Sequence, residues 1–239
     1  PILEAVSGKT VGFESLMRWK TSEGLVVPSE FIALSEELGL IVTMTEVALE
    51  RGLIALKQWH IVYPNLYLSV NLSSQHFANE NLVIYIKNLL ERHDLAPHFL
   101  RIEVTECALM SEPEKAINTM CALSSLGVTL ALDDFGTGFS SLAYLKKLPL
   151  DFMKIDRSFV LGIGKNQADE AIVDTTLVLA KRLNMRCIAE GVETEGQLAY
   201  LIGKECDFVQ GYFYGKPLSA SDVMKQLMAN QLKTGLASP

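Results

Sequence analysis

Asp133 and Asp134 stand side by side where an apolar run over residues 128–132 stops and the glycine-bearing stretch Phe135-Gly136-Thr137-Gly138 begins. Adjacent carboxylates at the mouth of a buried strand repel each other unless a cation or a shared proton offsets the charge, so the pair reads as a seat for a metal ion. Alone, such a pair is more often a solvated loop feature. This one has company, because Glu14, Asn71, Glu103, Glu190 and Gln210 each fall at or near the end of a short strand-like run. Lys154 interrupts another such run, residues 152–155. A lysine so placed either extends to solvent or pairs with buried acids. Among converging carboxylates its ammonium would offset their repulsion and could contact an attacking water.

Something must bring these groups together. Strand-like runs over residues 11–16, 66–72, 100–104, 152–155, 186–189 and 208–209 alternate with stretches of helical periodicity over 81–90, 116–126 and 171–183. Alternation of this kind implies parallel βα units with right-handed crossovers, and if the units close into a barrel every strand end faces one rim. Residues 2–6 and 10–16 flank the turn-like Ser7-Gly8-Lys9, which predicts an N-terminal hairpin. The chain has 239 residues, close to the ~250 that one barrel needs. One domain over residues 1–231 and a frayed tail over 232–239 are therefore expected.

Composition narrows the function classes. A net charge of −7 disfavours a DNA- or RNA-tracking surface, which needs basic patches, but an anionic small ligand can still bind where divalent metals reverse the local field. No apolar run approaches a membrane span and no signal segment is visible, so the segment reads as soluble and without membrane contact. It opens at Pro1 rather than Met, which reads as a piece of something longer. Cys107, Cys121, Cys187 and Cys206 show no zinc-like spacing and are expected to be buried, reduced thiols. His60, His76, His93 and His98 are expected to be structural or exposed, and the cluster Tyr212-Phe213-Tyr214 to be packing.

The motifs resemble those of a known family. Phe13-Glu14-Ser15-Leu16-Met17-Arg18-Trp19 is similar to the E-A-L-x-R-W signature of EAL-domain cyclic di-GMP phosphodiesterases, with Ser15 in place of the usual alanine. The resemblance continues, in the family's order, through Ser69-Val70-Asn71-Leu72-Ser73, Ile102-Glu103-Val104-Thr105-Glu106, Leu132-Asp133-Asp134-Phe135-Gly136-Thr137-Gly138-Phe139-Ser140-Ser141-Leu142, Met153-Lys154-Ile155-Asp156, Ala189-Glu190-Gly191-Val192-Glu193 and Gln210-Gly211-Tyr212-Phe213-Tyr214-Gly215-Lys216-Pro217.

The resemblance implies a modified TIM (β/α)8 barrel, an α/β fold with one antiparallel early strand. It implies hydrolysis of cyclic di-GMP to linear pGpG by two-metal activation of water, with Mg²⁺ or Mn²⁺ as cofactors and Ca²⁺ as inhibitor. Glu14, Asn71, Glu103, Asp133, Asp134 and Glu190 are the implied metal ligands, with Asp133 bridging. Lys154, Glu14, Asp133 and Glu190 form the implied catalytic set. Leu16, Arg18, Asp156 and Gln210 would contact substrate, Arg18 through its planar fork. Glu106 and Glu193 would support the loop over residues 135–141. That loop and the segment after it, from Phe139 into the helix after Ile155, would form a homodimer surface. A cytoplasmic domain is implied, within a full-length protein carrying N-terminal regulatory domains and open to tethering at the inner membrane. The alternative is a sensor that binds cyclic di-GMP without hydrolysing it, although such modules lose ligands that this chain keeps. A metal-dependent barrel hydrolase acting on another phosphoester explains the acids but not the signature blocks.

Overall fold

The computed structural model describes residues 1–77, 79, 81–111, 113–136 and 145–235. Within them eight strands close a barrel in the order β1 (Ile2–Glu4), β10 (Phe208–Val209), β9 (Arg186–Ala189), β8 (Phe152–Ile155), β7 (Thr129–Phe135), β6 (Leu100–Thr105), β5 (Tyr67–Leu72) and β2 (Thr10–Ser15). β1 runs antiparallel to both β2 and β10, whereas every other neighbouring pair is parallel. The hairpin from Ser7-Gly8-Lys9 and the modified barrel are thus as expected, and the C-terminal ends of the seven parallel strands share one rim. A short ribbon of β3 (Trp19–Lys20) and β4 (Leu25–Val26) leads into α1 (Pro28–Glu37).

Alternation along the strands divides the apolar residues into two layers. Ile2, Ala131, Phe152, Ile188 and Phe208 fill the barrel, and a larger set including Leu68, Val70, Ile102, Leu130, Leu132 and Met153 packs outward against the helices. Position 12 takes a glycine because the Tyr67 ring lies where a β-carbon would stand. Two of the crossover helices begin on conventional signals: Asn166 caps Gln167–Arg182, and Thr194 with Gln197 forms a reciprocal capping box on Glu195–Gly203.

Some expectations need correction. β2 ends at Ser15, one residue short of the expected run over 11–16, and Leu16 and Arg18 are both exposed. Cys187 and Cys206 are buried, but Cys121 is exposed: the helix Pro113–Leu126 turns Ala116, Met120 and Leu123 inward, and the residue after Met120 falls on the opposite side. Tyr212 and Phe213 are also exposed, because they sit on the turn beyond β10, and only Tyr214 packs on the core. The last helix, Ala220–Gly235, continues beyond Gln231. No described helix is long and apolar enough to cross a membrane.

Candidate active site

Eight of the singled-out residues meet at the C-terminal rim, with Lys154 at their centre. It lies on β8 with 1% of its side chain exposed. Its Nζ is 2.5 Å from Glu103 Oε2, 2.6 Å from Glu190 Oε1, 3.0 Å from Asp133 Oδ1 and 3.9 Å from Glu14 Oε1. Burial alone would lower its pKa, but these four carboxylates hold it well above the ordinary lysine value. Three carboxylates at hydrogen-bond distance use all three of its N–H donors.

Amides tie the acids to one another. Asn71 Nδ2 donates to Glu14 Oε1 at 2.9 Å, and Gln210 Nε2 donates to Glu14 Oε2 at 2.5 Å and to Glu190 Oε1 at 3.4 Å. Burial would raise the Glu14 pKa, but Lys154 and these two amides bring it below the usual carboxylate value. Glu103 and Glu190 go the other way. Burial first, then repulsion from neighbouring acids, pushes Glu103 to about 7 and Glu190 to about 8 against the pull of Lys154.

The adjacent aspartates both reach the site because β7 is irregular there. In a regular strand successive side chains point to opposite faces, so Asp133 and Asp134 would diverge. Here the β7–β8 register shifts between Leu132 and Phe135, and Asp134 takes a left-handed φ of 54°. The result is a compact triad in which one oxygen each from Asp133, Asp134 and Glu190 lies within 4.8 Å of the others. Burial, with Asp133 and Asp156 repelling it, raises the Asp134 pKa to about 6.

The donor set suits a hard divalent cation: it offers carboxylate and amide oxygens, and neither histidine nor cysteine. Gln210 Oε1 adds a second sign, since it is buried without a hydrogen-bond partner while its own Nε2 is engaged. Four acids against one lysine leave an excess of buried negative charge that a cation would neutralise.

The remaining expected residues lie further out. Arg18 is exposed, and its Nη1 donates to the Met17 carbonyl at 2.8 Å. Asp156 caps the short helix Arg157–Gly162 and also accepts from the Ser158 hydroxyl, so it already has a local structural task. Glu106 is buried and its Oε1 accepts from Gly136 N at 3.3 Å, the first turn of the loop it was expected to support. Glu193 instead meets Arg157 Nη2 at 2.7 Å. The rest of that loop, residues 137–141, and with it the start of the expected dimer surface, lies outside the described residues.

Two neighbours escaped the sequence reading. Ser69 donates its hydroxyl to Glu103 Oε1 and is fully buried. It shares a strand face with Asn71, two residues on, and that spacing was the available signal. Arg157, the partner of Glu193, gave no sign, since nothing in sequence separates it from an ordinary first-turn residue.

Residues 1–217 match the family model described as EAL domain. This chain belongs to the EAL domain family. It is 39% identical over 231 residues to the cyclic di-GMP phosphodiesterase NbdA of Pseudomonas aeruginosa, covering 96% of this chain and 30% of that protein. It is 38% identical over 226 residues to the bifunctional diguanylate cyclase/cyclic di-GMP phosphodiesterase MucR of the same organism, covering 94% of this chain and 33% of that one. The chain thus spans about a third of the length of these relatives. Among solved structures, the PaMucR phosphodiesterase in complex with c-di-GMP superposes with a TM-score of 0.89 at 38% identity, covering 93% of this EAL domain and 91% of that chain. The EAL domain of Mycobacterium smegmatis DcpA gives 0.79 at 28% identity, with 96% and 93% covered.

Proposed function

We propose that this EAL domain hydrolyses cyclic di-GMP to linear pGpG with the help of two Mg²⁺ or Mn²⁺ ions. The observation that carries the reading is the buried Lys154 held among Glu14, Glu103, Asp133 and Glu190 at the barrel rim, beside the Asp133-Asp134-Glu190 triad. Asp134 and Glu190 would hold one cation and Glu14, Asn71 and Glu103 the other, with Asp133 between them. Bound cations would supply the positive charge that admits an anionic phosphodiester to an acidic rim, and would make a water acidic enough to attack it at neutral pH.

The protein's own groups have distinct tasks. The surrounding carboxylates favour the protonated form of Lys154, so among them it serves as a hydrogen-bond donor and a positive charge. When Asp133 or Glu190 turns away from Nζ, a donor is released to orient the attacking water or a phosphate oxygen. Gln210 and Asn71 hold both oxygens of Glu14 and so fix its orientation. Arg18 and Leu16, exposed just beyond β2, would meet the substrate from outside, the guanidinium against phosphate. Asp156 would face a guanine from the opposite side. Within a longer protein, the loop after Asp134 would pair two such domains and upstream regulatory domains would act on them, with tethering at the inner membrane open to the whole protein.

Product analysis tests the proposal. Purified chain with Mg²⁺ or Mn²⁺ should convert cyclic di-GMP to pGpG, lose that activity with a chelator, and be inhibited by Ca²⁺, whose looser coordination misplaces the nucleophile. Cyclic di-GMP binding without product under either metal would make the chain a sensor instead. Comparable turnover of unrelated phosphodiesters would overturn the assigned substrate.

A further inference from the structure

We propose that Ser69 is a positioning residue, whose hydroxyl fixes Glu103 in the orientation the site requires. The proposal rests on the reading of Glu103 as part of a phosphodiesterase centre. Glu103 is completely buried, so water cannot satisfy its carboxylate. Lys154 takes Oε2, and among the described residues the donor to Oε1 is the Ser69 hydroxyl. Ser69 is itself fully buried on β5, paired in register with Glu14 on β2 and Arg101 on β6. It therefore stands directly beneath the site, with no solvent to turn toward.

Its effect reaches further than one bond. With Oε1 anchored, the carboxylate plane of Glu103 is set, and Oε2 is presented to Lys154. That contact in turn places the ammonium at hydrogen-bond distance from Glu190 and Asp133. Without the hydroxyl, Glu103 retains a buried oxygen with no donor and must rotate or take a proton. Either response withdraws it from Lys154 and from any cation it would share. Partners that orient metal-binding side chains in this way change metal affinity or activity by ~10–100-fold when removed.

The experiment uses Ser69→Ala alone and combined with Glu103→Gln, reading Mn²⁺ affinity by electron paramagnetic resonance and, separately, cyclic di-GMP turnover. Ser69→Ala should weaken Mn²⁺ binding and lower kcat by ~10-fold or more, leaving the substrate KM within about twofold. In the Glu103→Gln background the same change should have no further effect on Mn²⁺ affinity. Ser69→Cys, similar in size but a weaker donor, should shift both readouts in the direction of Ser69→Ala. Wild-type Mn²⁺ affinity and turnover in Ser69→Ala would overturn the role, as would an equal loss of affinity with and without Glu103, which would signify packing. If wild-type protein binds Mn²⁺ but forms no pGpG, the activity reading falls, while the Mn²⁺ comparison still decides the role of Ser69.

Discussion

Replacing Lys154 with alanine should cost both stability and chemistry, and the structure sets the scale of each. Placement at a strand end suggests by itself that the loss would touch turnover and spare the fold. Burial changes that expectation: the side chain is 1% exposed and three carboxylates lie within 3.0 Å of its Nζ. Removing one partner of a buried ion pair costs about 3–5 kcal/mol, because the charge left behind is uncompensated. In a chain of this size each kcal/mol moves Tm by ~2–4 °C, so metal-free Lys154→Ala should melt roughly 6–20 °C below the wild type at pH 8. The deficit should shrink at pH 5, where Glu103 and Glu190, already raised to about 7 and about 8, take up protons and cease to repel. Turnover should fall by ~100-fold or more, the loss typical of removing one preorganised donor. Circular-dichroism melts of both proteins after metal removal, at the two pH values, measure the first effect, and pGpG formation the second. A Tm shift below ~2 °C at pH 8 with turnover retained would refute the placement of Lys154 at the centre of the acids.

Other perturbations test separate parts of the site. Glu14→Ala and Asp133→Asn should each reduce pGpG formation by ~100-fold or more, measured by chromatography at saturating Mg²⁺; near-wild-type rates would remove them from the reaction. The raised pKa values of Glu103 and Glu190 mean that the folded, metal-free chain holds more protons than the unfolded chain between about 4.5 and about 8, so its stability falls as pH rises through that window. Mg²⁺ should therefore raise Tm more at pH 8 than at pH 5. At one hundred times its Kd the gain should be ~2.7 kcal/mol, or about 5–11 °C, by thermal shift. Glu106→Ala removes the acceptor for Gly136 N and should weaken Mn²⁺ binding and turnover by ~10-fold, although Glu106 is not a proposed ligand. Unchanged kinetics and metal dependence there would leave it an ordinary strand-end acid.

Much of the barrel was readable because its strands carry two signals at once. Residues 152–155, 186–189 and 208–209 are apolar runs bounded by polar strand ends, and the observed strands match them. Convergence of the acids followed from topology: parallel strands must end on one rim, whatever their order. What sequence could not supply was conformation at single residues. Asp134 reaches the site through a left-handed backbone and a register shift, and no residue type announces that. The run expected over residues 11–16 ends at Ser15, and beyond it alternation assigns no face to Leu16 or Arg18, since alternation holds only while the backbone stays extended. Asp156 was expected to contact substrate and also caps the following helix, a use shared by many aspartates that depends on where that helix begins.

The bond between Gln210 and Glu14 joins residues 196 positions apart, across the short antiparallel strand β1 that seals the barrel. Contacts so distant in sequence form slowly, since most of the intervening chain must be ordered before the two ends can meet. Synthesis proceeds from the N-terminus, so Glu14 emerges early and waits for nearly the whole domain before the amide that orients it exists. The assembled site is therefore among the last features this chain acquires as it folds. Until the final strand docks, the four carboxylates and their lysine belong to an unclosed sheet, and the site exists only as a list of residues.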